Sequence, residues 1–162
     1  MTSALASRFK EADVAAFAAA YPHPWVVWEP GPWAPPGNVA TQTMVMAKAV
    51  SPGKLGGEAL AMALKLAGGQ ASLILGRGES VDLPINDATL SRSHLAFAPG
   101  LFGQWTVIDQ GSRNGTWLDA RKLTSSIPEP LRDGAQVQAG QVYLTFYEAA
   151  GLFARLYPLR QR

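Results

Sequence analysis

Between Leu73 and Leu118 short apolar runs alternate with loops built from Gly, Ser, Asp and Asn. The runs are Leu73 to Leu75, Leu95 to Ala98, Trp105 to Ile108 and Thr116 to Leu118; Gln136-Val137 and Val142 to Tyr147 continue the pattern. β-Branched and aromatic runs this short, separated by turn residues, predict the strands of an antiparallel sandwich. Pro99 to Gly103 reads as a turn between two of them. Upstream, Leu60, Met62, Leu64 and Leu66 alternate with smaller or polar residues, a period of two that predicts a strand within 57–66 despite its helix formers. Gly68-Gly69 then predicts a hairpin turn into Ala71 to Leu75.

The N-terminal part follows another rule. Phe9, Ala12, Ala16, Phe17 and Ala20 fall near helical spacing, which predicts a helix from Thr2 to Tyr21 with Thr2 or Ser3 as cap. Pro22 and Pro24 end it. Trp25 to Trp28 suits a strand, and 30–38 holds four prolines and two glycines, the composition of a linker or covering loop. Trp25, Trp28 and Trp33 are expected to pack onto the sandwich. Val39 to Ala49 suits a further strand, 51–57 a turn, and Leu152 to Tyr157 one or two helical turns before Pro158. The expected division is a helix and Pro/Trp-rich extension over 1–38 and an all-β domain over 39–162.

Composition narrows the chemistry. At 162 residues, 48% apolar and 16% charged, the chain suits one domain with a buried core and an extension. Arg77, Arg92, Arg113, Arg121 and Lys122 are matched by Glu79, Asp82, Asp87, Asp109 and Asp119, so there is no basic stripe for nucleic acid. With no cysteine, thiol chemistry and disulfides are excluded, which is compatible with a reducing compartment and an expected cytoplasmic location. Val14 to Trp28 is uncharged but too short, and too broken by proline, to span a bilayer. Glu11 and Asp13 argue against a secretion signal.

Enzyme motifs fail on spacing. Gly76-Arg77-Gly78 opens like a dinucleotide fingerprint but has Val81 at its third glycine position. Ser112 is out of register with a nucleophile elbow. Ser91 and His94 are expected to point to opposite faces, and the two histidines lack metal-ligand spacing with other donors. No catalytic residue, metal or cofactor is expected. Anion binding fits better: Arg77 and Arg92 offer charge, Ser91 a hydroxyl, and Asn114 an amide that both donates and accepts. His94 is read as a loop brace, and Asp109, Ser112, Gly115 and Thr116 as turn chemistry.

Taken together, Gly76-Arg77, Ser91-Arg92-Ser93-His94, Asp109, Ser112-Arg113-Asn114-Gly115-Thr116 and Leu131-Arg132-Asp133-Gly134 with Gly140 resemble the forkhead-associated (FHA) domain. The resemblance covers roughly Leu60 to Phe146 and implies an FHA-type sandwich of eleven strands whose loops bind phosphothreonine peptides. It implies that Arg77, Ser91, Arg92 and Arg113 bind phosphate, that Asn114 holds the peptide backbone, and that Thr89 helps read a nearby peptide residue. Gly76, His94, Asp109, Gly115 and Thr116 would structure the loops. The expected partners are a threonine-phosphorylated protein and a Ser/Thr kinase or its substrate, with no nucleic acid and no membrane. The rival expectation is a phosphate-independent interaction module using the sandwich face and the N-terminal extension.

Overall fold

A computed structural model describes residues 13–29 and 59–157. Its strands are β1 (Trp25–Trp28), β2 (Leu60–Ala63), β3 (Leu73–Gly76), β4 (Leu83–Pro84), β5 (Leu95–Pro99), β6 (Trp105–Asp109), β7 (Thr116–Leu118), β8 (Arg121–Lys122), β9 (Glu129–Pro130), β10 (Gln136–Ala139) and β11 (Val142–Tyr147). They form two sheets, β2-β1-β11-β10-β7-β8 and β4-β3-β5-β6-β9. The sheets face each other across Leu75, Leu95, Phe97, Val107, Val137, Leu144 and Phe146, all buried. This is the all-β sandwich that the alternation predicted.

Two helices, α1 (Val14–Ala20) and α2 (Ala149–Leu156), cover the outer face of the larger sheet. Strand β1 is therefore buried on both sides: Val26 enters the main core, while Trp25 and Val27 join Phe17, Leu152 and Phe153 in a second cluster. Period-two alternation in β2 divides in the same way. Met62, Leu64 and Leu66 belong to the main core, and Ala61 and Ala63 face the helices. Arg155 on α2 pairs with Glu29 just after β1, and its guanidinium lies over the Tyr147 ring. No helix among the described residues is long and apolar enough to cross a membrane.

Several expectations change. Strand β1 lies between β2 and β11, in register Trp25↔Ala63 and Trp25↔Tyr147, so a boundary at 38/39 separates an inner strand from its partners. The described helix begins at Val14, because Asp13 is extended (φ −88°, ψ 173°) and caps α1 by accepting from Ala16 N at 2.7 Å. An aspartate there competes for the backbone and sets the helix start at Val14. Gly68-Gly69 makes a turn but no hairpin, because β2 and β3 belong to different sheets. Pro99 closes β5 instead of opening the turn, and α2 begins earlier, at Ala149. The expectations for Thr2, Ser3, Phe9, Ala12, Trp33, Pro158 and 30–57 lie outside the described residues.

Candidate functional site

The loops after β3, β4 and β6 converge at one pole of the sandwich. Arg77 leaves β3 with its N–H donating to Ser91 O (3.0 Å), and Gly78 N donates to Arg92 O (3.0 Å). This approach explains the first glycine. A Cβ on Gly76 would lie 2.2 Å from Arg92 O, and one on Gly78 2.9 Å from it. The glycines of Gly76-Arg77-Gly78 thus serve backbone contact between two loops, and the role of Gly78 was not read from the sequence.

Ser91 joins the third loop, because its Oγ accepts from Arg113 N at 3.0 Å. Asn114 Nδ2 donates to Thr89 O at 2.6 Å, a second bond between the same two loops. Thr89 is itself held fast: its hydroxyl donates to Asp87 Oδ1 (2.5 Å) and accepts from Gln141 N (2.9 Å). Asp87 was also missed, although Asp two residues before Thr is a recognisable side-chain-to-backbone turn signal. Buried Ile85 and Leu90 anchor this loop in the core.

Beneath the loops lie two buried polar residues. His94 Nδ1 accepts from Ser91 N (3.0 Å), which puts the proton on Nε2, and Nε2 donates to Gly115 O (3.0 Å). One neutral imidazole therefore ties the Ser91 loop to the Asn114 loop. Burial depresses its pKa, against the opposing pull of the Gly115 carbonyl and the Asp109 charge. Asp109 accepts from Ser112 Oγ (2.5 Å) and Thr116 Oγ1 (2.6 Å) at Oδ1, and from Gly111 N and Ser112 N at Oδ2. Burial pushes its carboxyl upward, but these hydrogen bonds outweigh burial and hold it below the usual range. Gly115 adopts φ +84° with the Trp117 ring 3.0 Å from where its Cβ would be, so glycine is required there.

What reaches solvent is cationic and hydrogen-bond donating. Arg77 and Arg92 line one groove of about 410 Å³ with Gly78, Glu79, Ser80, Val81 and Ser93. Ion pairs among the described residues join Arg121 to Glu129 and Arg155 to Glu29, and leave the exposed Arg77, Arg92 and Arg113 unpaired. The candidate hydroxyl nucleophiles are committed elsewhere: Ser112 Oγ donates to Asp109, and His94 meets the Ser91 N–H instead of its Oγ.

The fold and this pole define a β-sandwich that presents an anion-receptive loop surface. The family model described as FHA domain matches residues 73–140. Over 76 residues the chain is 33% identical to FHA domain-containing protein FhaB of Mycolicibacterium smegmatis, covering 47% of each chain. It is 35% identical over 78 residues to the glycogen accumulation regulator GarA of the same species, covering 48% of this chain and 46% of GarA. The chain thus spans about half the length of these curated relatives. The N-terminal FHA domain of S. cerevisiae Rad53p, solved with a phosphothreonine peptide, superposes with a TM-score of 0.52 at 17% identity, covering 78% of this chain and 93% of that one. The match to the FHA domain family model thus takes in the β3 to β10 segment that carries all three converging loops.

Proposed function

We propose that this protein is a non-enzymatic adaptor that docks threonine-phosphorylated segments of partner proteins, acting with a Ser/Thr kinase in the cytoplasm. One observation carries the reading: three unpaired guanidinium groups and the Ser91 hydroxyl sit on loops already stitched together by the Ser91–Arg113 and Thr89–Asn114 bonds. A phosphorylated side chain brings a charge of about −1.5 to −2 at neutral pH and three acceptor oxygens. Arg77, Arg92 and Arg113 answer the charge, and Ser91 donates its hydroxyl proton while still accepting from Arg113 N. Asn114 grips the peptide main chain, and Thr89 supports it by holding Asn114 in place. Thr89 acts on the neighbouring peptide residue through this positioning, since both hydrogen-bonding functions of its hydroxyl are engaged within the fold.

Charge-assisted bonds contribute about 1.5–3 kcal/mol each, so Arg77→Ala and Ser91→Ala should each weaken binding roughly 10-fold or more. Calorimetric titration with a phosphothreonine peptide library tests this. Equal affinity for the unphosphorylated library, or wild-type affinity in Arg77→Ala, refutes the proposal.

A further inference from the structure

We propose that the tip of the β5–β6 hairpin, Leu101 with Phe102, is a lipid-contact site that seats the domain on a bilayer surface with its loop site facing the aqueous phase. The two side chains are 97% and 92% exposed. They occupy the central positions of a closed turn: Gly103 N donates to Gly100 O (3.1 Å), and Gly100 N to Gln104 O (2.6 Å). Thr106 Oγ1 donates to Ala98 O (3.0 Å) just below, so the turn is held as a convex spike. Turn centres ordinarily carry Gly, Pro, Asn or Asp. Nothing in the backbone calls for Leu-Phe here.

Size and surroundings choose the occupant. A specific protein interface buries on the order of 800 Å² per partner around an apolar centre. The other exposed large apolar residues among those described, Val14 and Ile127, are not on this hairpin; Ile127 follows Ser126, which bonds to Asp109 at the opposite pole. A convex pair that is isolated among the described residues therefore suits a surface that needs no matching shape, the hydrocarbon boundary of a bilayer. From Leu95 through Ile108 there is no charged residue to resist entry. Trp105, half-buried at the base of the spike, packs against the main core and so anchors the hairpin that carries the tip. The β5–β6 ladder runs from Pro99↔Trp105 at the tip to Leu95↔Asp109 at the loop site, roughly 13 Å of strand. A surface contact requires no spanning helix. Two inserted side chains hold less firmly than a myristoyl chain, whose partition constant is about 10⁴ M⁻¹, so attachment is reversible.

The cysteine-free chain makes the test direct. Gln104→Cys places an environment-sensitive fluorophore beside the intact tip, and Gln110→Cys places one next to Asp109. On titration with phosphatidylcholine vesicles, with and without phosphatidylglycerol, the label at 104 should shift to the blue and the label at 110 should not. Adding Leu101→Asp and Phe102→Asp should reduce vesicle co-sedimentation ~10-fold or more. No shift at 104, equal shifts at both positions, or undiminished sedimentation of the double variant overturns the proposal. A concentration-dependent dimer that the double variant abolishes, with no response to vesicles, also overturns it and assigns the tip to a second copy of the chain.

Discussion

His94 shows how one side chain sets the geometry of two loops. It is fully buried and neutral, with both ring nitrogens engaged. Its folded pKa lies below the ordinary 6.5, so the folded state disfavours the proton that the unfolded chain accepts. The resulting stability is complete above about pH 6.5 and is lost as pH falls below it. Asp109 adds a loss of the same sign further into acid, since its carboxyl also lies below its ordinary 3.8. Thermal unfolding measured from pH 7.5 to 5 should show a falling midpoint that His94→Asn flattens; an unchanged slope would refute the assignment. Asp109→Ala strands four donors and should cost about 3 kcal/mol or more in denaturant titration, since loss of even two of the four charge-assisted bonds at about 1.5 kcal/mol each reaches that value.

Among the elements, the β7–β8 hairpin and α2 depend on single residues. Leu118↔Arg121 pairing leaves Asp119 and Ala120 as a two-residue turn, at φ 46° and 69°. Such a turn normally carries Asn-Gly, and an alanine there gave no hairpin signal, so β8 was not anticipated. Asp119 compensates through Oδ1, which accepts Gln136 N at 2.8 Å. Ala120→Gly should raise stability by about 0.5–1 kcal/mol, read as a higher denaturant midpoint. Helix α2 starts on Asp133, whose carboxylate accepts Glu148 N at 2.7 Å. A Cβ on Gly151 would lie 2.1 Å from that carboxylate, so Gly151→Ala should push Asp133 off Glu148 N and lower the midpoint, whereas helix propensity alone predicts a gain. Strands β4 and β9 were missed because each is two residues long and ends in proline, a residue that reads against strand.

For the whole molecule, the segment before the family match is part of the fold. Trp25, Val26 and Val27 are buried, and β1 joins β2 to β11. Burial of side chains this large contributes about 1.5–3 kcal/mol each. Removing residues 1–29 should therefore abolish the cooperative unfolding transition, as followed by near-UV circular dichroism. A truncated chain that melts like the full one would show that β1 is dispensable.

Local pattern in the sequence was enough to establish the sandwich class, the strands at Leu73, Leu95, Trp105, Thr116 and Val142, and the turn roles of Asp109 and Gly115. Those features depend on period-two alternation and on backbone preferences confined to a few neighbouring residues. The resemblance over Leu60 to Phe146 named the candidate phosphate-pole residues. Only the tertiary structure decided what those residues touch. Gly76 is required because Arg92 O lies against it, Thr89 is engaged by Asp87 and Gln141, and β1 is an inner strand separated from β2 by the 31 residues 29–59. Such pairings between distant segments leave no periodic trace in the chain, because the partner of each residue is set by how two sheets and three loops close around one core.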